Sequence, residues 1–259
     1  EAEGGGTVIL ARGSVAAQMG LPVAGVVGFV SSYADGAHTS IPAPGLGALG
    51  AGRGGRSSRL AKALAALGVE ADDIALVSKH DTSTGANDPN ESELHTRLAR
   101  ALGRSEGNSL VAVSQKTITG HAKGGAAVFQ VAGLTEILAS GVAPGNASLD
   151  VVDAPLAKDA FWVWPRRPIR LAGRGGQDGR VPGAGPVRAG LLTSLGFGHV
   201  SGLIAIVHPG AFEAALRQAA GQEAVVGHED PLRPPPVDDG PQRRGVADEG
   251  VLLLHEDDL

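Results

Sequence analysis

Two histidines stand where apolar runs give way to hydroxyl-rich and glycine-rich ones. His80 lies in "VSKHDTSTGANDPNE" (77–91) and His121 in "QKTITGHAKGGAA" (115–127). Histidine changes charge near neutral pH, so it can serve as acid, base, hydrogen-bond donor or metal ligand. Taken singly, either one reads equally well as a residue bonded to a nearby backbone carbonyl. Asp81, Asp88, Glu91 and His121 include metal-ligand types, but no tight spacing such as H-x-x-x-H accompanies them. The chain has no cysteine, which removes disulfides, thiolate metal sites and any cysteine nucleophile of its own.

Each histidine follows a strand-like run and precedes a helix-like one. Side chains at such corners, at the carboxyl ends of strands, project into a crevice where α/β proteins gather their reactive groups. Strand patterns run from "TVILAR" (7–12) through "VAGVVGFVSS" (23–32), "IALVSK" (74–79), "LVAVS" (110–114), "AGLLTSL" (189–195) and "GLIAIV" (202–207). "SSRLAKALAALG" predicts a helix capped at Ser57 or Ser58, with Leu60, Leu64 and Leu67 on one face and a stop at Gly68. "DPNESELHTRLARALG" predicts another, with Asp88 as N-cap, Pro89 at the first position, Glu91 closing a capping box and Gly103 as the stop. A third, from about 122 to 140, is apolar or small round nearly its whole circumference, the mark of a helix buried between layers.

Composition sets the frame. Hydrophobic residues make up 42% of the 259, enough for a real core, but aromatics are only 3% and glycines number 40. Such a core is built from small aliphatic side chains packed closely, which favours layered α/β architecture. The net charge of -5 is concentrated after residue 227, and nothing suggests a nucleic-acid surface. No apolar run approaches membrane-spanning length. "GLGALG" (45–50) spells a dinucleotide fingerprint but follows "IPAP", not a strand, so it reads as a loop. The Gly/Pro-rich stretch 172–188 reads as a long mobile loop. The last thirty or so residues read as disordered or linker-like.

Together "HDTSTGANDPNE", "QKTITGHAKGGAA" and "TSLGFGHVSG" resemble the carboxyl-terminal half of β-ketoacyl synthases. "EGGGTVILARGSVAAQMGLPVAGVVG", "SIPAPGLGALG" and "GRSEGN" resemble in particular the ketosynthase of bacterial and fungal multifunctional type I fatty acid synthases. The resemblance covers about 1–210. It implies an α/β thiolase-like fold, mainly its carboxyl-terminal half, with a layered mixed sheet and a buried central helix. Residues 211–259 would be an extension, disordered at least from 228.

The implied reaction joins an acyl group, held as a thioester on cysteine, to the carbanion left when a malonyl thioester loses carbon dioxide. His80 and His121 match the two imidazoles whose N–H groups hold the thioester oxygen as it becomes an enolate. Lys116 matches a lysine supporting the second histidine, near a glutamate matching Glu91. Thr82 and Thr84 match threonines that bond the phosphopantetheine arm of an acyl carrier protein. Phe197 matches an oxyanion-hole amide and a gating ring, with Gly196 and Gly198 giving its loop freedom.

No metal or redox cofactor is implied. The implied partners are the acyl carrier protein, a cysteine-bearing ketosynthase half that this sequence does not show, and further copies within a cytoplasmic homo-oligomeric synthase. No membrane or nucleic-acid partner is implied. Without the cysteine the chain alone is expected to be inactive. The rival readings are a catalytically inactive ketosynthase remnant and a metal-dependent hydrolase using the His-Asp pair. Position 81 is Asp where most ketosynthases have Gly, a variant that matches the bacterial type I group. Its charge is expected to raise the His80 pKa or hold the ring's orientation.

Overall fold

The computed structural model describes residues 1–34, 46–85, 87–157, 161–171, 187–196, 200–226 and 250–253. The chain opens with β1 (Ile9–Arg12), α1 (Gly13–Met19) and β2 (Gly25–Ala34). Next come α2 (Leu46–Leu49), α3 (Arg59–Ala66), β3 (Ile74–Lys79), α4 (Asp88–Leu102) and β4 (Leu110–Ser114). After these lie α5 (Lys116–Thr119), α6 (Ala126–Ser140), β5 (Val142–Ala143) and α7 (Ala154–Ala157). The remaining elements are β6 (Trp162–Val163), β7 (Ile169–Arg170), β8 (Ala189–Gly196), β9 (Val200–Val207), α8 (Pro209–Val226) and β10 (Gly250–Leu253).

One mixed sheet runs in the order β1-β10-β2-β9-β8-β3-β4-β6, and β5 pairs with β7 apart from it. β2, β9 and β8 are joined antiparallel, whereas β8, β3, β4 and β6 are joined parallel. Because strand side chains alternate, an apolar run supplies both faces at once. In β4, Leu110 and Ala112 join one core with Leu60 and Leu64 of α3 and Leu98 and Leu102 of α4. Val111 and Val113 join the opposite core with Leu134, Ile137 and Leu138 of α6. β9 splits likewise, Leu203, Ala205 and Val207 facing one core and Ile206 the other. The small-residue core fits closely: a Cβ built on Gly190 would stand 2.6 Å from Leu134 Cδ1.

Ser58 caps α3, its Oγ accepting the Ala61 N–H at 3.2 Å, and Gly68 takes φ +67° just beyond the helix. α4 begins and ends at Asp88 and Gly103 much as the sequence suggests, but Asn87 holds the N-cap position and no side chain caps the helix. The "GLGALG" stretch contains a single helical turn, α2, not an open loop. α8 passes straight through the boundary at 210, and residues 250–253 of the tail pair with β1 and β2. Most of the 172–188 stretch lies outside the described residues, as do 227–249. Among the described residues, no helix is long and apolar enough to cross a membrane.

Candidate functional site

Parallel pairing of β3 with β4 puts Lys79 opposite Ser114 at the carboxyl ends of both strands. The residues that follow are therefore neighbours in space: His80 after β3, and Lys116 after β4. Lys116 Nζ donates to the His80 backbone carbonyl and lies 3.2 Å from His80 Nδ1. The short helix α5 then carries the chain to Gly120, at φ +69°, and on to His121. The His80 and His121 rings meet edge to face, centroids 5.4 Å apart and planes at 84°.

Neighbouring donors settle which nitrogen of each ring carries hydrogen. The Lys123 N–H, on a residue at φ +53°, donates to His121 Nδ1 at 3.1 Å. Lys116 Nζ occupies His80 Nδ1 in the same way, so in the neutral form both rings carry their proton on Nε2. Burial, and after it the Lys116 ammonium, lower the His80 pKa to about 4. His121 is lowered too, by its partial burial and then by Lys116 and Lys123. Both imidazoles are thus neutral donors at physiological pH. Burial also lowers Lys116, against the opposing pull of Glu91, Asp81 and Asp88.

Glu91, 1% exposed, is the fixed point beneath this corner. Its Oε1 accepts the His80 N–H at 2.6 Å and the Thr193 hydroxyl. Its Oε2 accepts the Asp81 N–H at 3.0 Å and Asn87 Nδ2 at 3.1 Å. The capping-box role does not hold, because the Asp88 N–H donates to the Thr84 carbonyl at 3.1 Å and Glu91 takes the His80 and Asp81 N–H groups instead. Burial alone would raise this carboxyl, but the Lys79 charge, His95 and the bonds from Thr193 and His80 hold it below its ordinary value. Behind Thr193 stands His95, Nε2 to Oγ1 at 2.9 Å, its ring edge-on to Trp162 at 6.3 Å. From α6, Gln130 Nε2 donates to the carbonyls of Ser78, Lys79 and Thr193, tying β3 to β8.

Lys116 was expected behind the second histidine; it bonds the first, because pairing of β3 with β4 brings it beside His80. Asp81 is expected to raise the His80 pKa or to hold the ring's orientation; the first does not hold, because its carboxylate turns to Lys79 Nζ at 2.6 Å. Burial pushes the Asp81 carboxyl up to about 7 while Lys79 pulls it down, and His80 is lowered, not raised.

Against known proteins, the carboxyl-terminal domain of the β-ketoacyl synthases matches residues 23–150. Residues 23–150 are a β-ketoacyl synthase carboxyl-terminal domain. The chain is 36% identical over 208 residues to fatty acid synthase 2 of Mycosarcoma maydis, covering 80% of this chain and 5% of that protein. It is 38% identical over 170 residues to the fatty acid synthase subunit alpha of Saccharomyces cerevisiae, 66% of this chain and 8% of that one. It therefore spans only a small part of these relatives. The crystal structure of the ketosynthase FabY from P. aeruginosa superposes with a TM-score of 0.62 at 26% identity, covering 83% of this chain and 30% of that one. The fold is the thiolase-like one expected of the carboxyl-terminal region of a type I fatty acid synthase ketosynthase.

Within this ketosynthase domain, His80, His121, Lys116 and Glu91 form one connected group. Thr82 and Thr84 lie on the adjoining loop with their hydroxyls 3.0 Å apart, and Asp88 Oδ1 accepts the Thr82 N–H at 3.0 Å. Gly196 ends β8, paired with Val200, while Phe197 and Gly198 lie outside the described residues. Beside the loop, a cavity of about 250 Å³ is lined in part by Asp81, Ser83, Asp88, Thr117, Asn146 and Trp164. A larger one, about 500 Å³, opens at the opposite strand ends around Asp72, Arg104 and Arg188 and includes neither histidine. Among the described residues, no three His, Asp or Glu side chains group so as to hold a metal ion.

Sequence reasoning missed Lys79, Thr193, His95 and Asn146. Thr193 was detectable as a hydroxyl inside an apolar strand, and His95 by its place one helical turn beyond Glu91. Lys79 gave no signal, since a lysine ending a strand ordinarily reaches water.

Proposed function

We propose that this chain supplies the malonyl-activating half of a 3-oxoacyl-[acyl-carrier-protein] synthase that makes fatty acids by decarboxylative condensation. The observation that carries the reading is the His80–His121 pair, with centroids 5.4 Å apart and both Nδ1 atoms occupied by donors. Rings at this separation can present their two Nε2–H groups to one oxygen between them. As the malonyl carboxylate leaves as carbon dioxide, the electrons of the broken C–C bond pass into the thioester carbonyl. Negative charge gathers on that oxygen, where two fixed donors stabilise it most. The enolate carbon then attacks an acyl thioester, and the thiolate of the acyl-bearing cysteine departs.

That cysteine would come from a segment or chain outside this sequence, so the chain alone would not condense. Neither histidine lines the cavities described above, and Leu10, Val30, Ile118, Val151 and Val200 are exposed. These features fit a domain covered by the other ketosynthase half and by further copies in a cytoplasmic synthase. Thr82 and Thr84 would bond the phosphopantetheine arm of the acyl carrier protein. Phe197, between Gly196 and Gly198, would supply the second oxyanion hole and the acyl gate. No metal or redox cofactor is required by this chemistry.

The test is malonyl-thioester decarboxylation by the complete synthase carrying this chain. His80→Ala and His121→Ala should each slow it by about a hundredfold or more. Unchanged turnover in both variants would reject the reading.

A further inference from the structure

Directly before His80 lies a lysine with no exposure at all. Lys79 Nζ is bonded to Asp81 Oδ1 at 2.6 Å and to Ser92 Oγ at 2.9 Å, and it stands 4.8 Å from the ring centroid of Trp164. Its carbonyl is held by Gln130 at 3.0 Å, so strand and side chain are both anchored. Asp81, the residue on the other side of His80, takes φ +24°. A side chain with a Cβ reaches positive φ at an energetic cost, whereas glycine does so freely. The ion pair joins residues 79 and 81 across His80, closing a small ring of backbone and side chain around the histidine's own Cα. The His80 N–H to Glu91 bond, at 2.6 Å, fixes the same peptide from the far side.

We propose that Lys79 and Asp81 form a positioning latch, in which their ion pair holds residue 81 at positive φ and so fixes the direction in which His80 projects. This rests on the function proposed above for His80. Lys79 and Asp81 act through the backbone of that residue and are positioning residues for it. Once the aspartate is gone, the lysine partner is lost equally in every variant at 81, so glycine and alanine differ only in their access to positive φ. That difference isolates the latch from any direct effect of the Asp81 charge on the ring.

The experiment measures malonyl-thioester decarboxylation and thermal unfolding of the complete synthase carrying Asp81→Gly, Asp81→Ala, Lys79→Met or Lys79→Met with Asp81→Gly. Asp81→Ala should lower kcat about tenfold below Asp81→Gly, with KM for the malonyl thioester changed by no more than about twofold, since misplacing a reacting group affects the chemical step. Lys79→Met should be slow, and adding Asp81→Gly to it should restore much of the lost kcat. Alanine as fast as glycine at 81, or a double variant as slow as Lys79→Met, would overturn the latch. Unfolding midpoints decide the matter separately from catalysis. The latch requires Asp81→Gly to melt above Asp81→Ala, the reverse of the usual order in which glycine loses more chain entropy. A glycine variant melting at or below the alanine one would overturn it. If the unaltered synthase does not decarboxylate, or His80→Ala leaves its rate intact, the functional reading fails, and the midpoints still judge the latch.

Discussion

Glu91 Oε1 accepts the backbone N–H of His80 at 2.6 Å, so a buried carboxylate on α4 fixes the residue that follows β3. The same oxygen receives the Thr193 hydroxyl from β8, and the other accepts from Asp81 and Asn87. Helix, two strands and the following loop thus converge on one side chain, and the ring of His80 takes its place from that convergence.

Replacing this carboxylate by an amide should be costly. In Glu91→Gln the two N–H donors of the amide face groups that are themselves donors, so at least one buried pairing is lost, worth about 1.5–3 kcal/mol for a bond to a charged group. Thr193→Val should cost somewhat less and Thr193→Ser very little, because serine keeps the hydroxyl. Thermal unfolding midpoints of the three variants should fall in that order, with Glu91→Gln lowest.

The pH dependence follows from the neutral state of the rings. His80, lowered from 6.5 to about 4, stays neutral through the mildly acidic range, so its own protonation should not limit decarboxylation until well below pH 6. Protonation would replace the arrangement of neutral donors by a cation, and the acid limb should follow the depressed value. Lys116 contributes to the depression after burial, so Lys116→Met should let the His80 pKa rise and shift the acid limb to higher pH. Rate profiles between pH 4 and 8 check both the position and the direction.

Asn146 is a structural counterpart on the β4 side. Its Oδ1 accepts the Ser114 N–H at 2.7 Å, and its Nδ2 donates to the Ala112 carbonyl at 3.1 Å and the Pro165 carbonyl at 3.2 Å. It holds the end of the strand from which Lys116 and His121 follow. Asn146→Ala leaves these backbone groups buried without their partner, at about 1–3 kcal/mol for each group left unsatisfied. The variant should melt markedly lower and decarboxylate more slowly than the unaltered synthase.

Much of this framework is legible in the sequence because the signals are local. Apolar runs mark β3, β4, β8 and β9, and the spacing of Leu60, Leu64 and Leu67 marks the buried face of α3. The histidines could be placed at strand ends, but their meeting depends on the parallel pairing of β3 with β4, which no local pattern states. For the same reason the contact of Lys116 with His80 has no local signal. Glu91 lay where a capping box would put it, and the competing partners, Thr193 and the His80 N–H, come from elsewhere in the fold. Lys79 was invisible because its burial depends on Trp162 and Trp164, far along the chain.

The central claim concerns one oxygen and two imidazoles. It is tested most directly by a crystal structure of the complete synthase with a non-cleavable malonyl thioester analogue bound. The account predicts the thioester carbonyl oxygen at about 3 Å from both His80 Nε2 and His121 Nε2, the spacing of ordinary N–H···O bonds. An analogue seated with that oxygen on one ring only, or on neither, would contradict it.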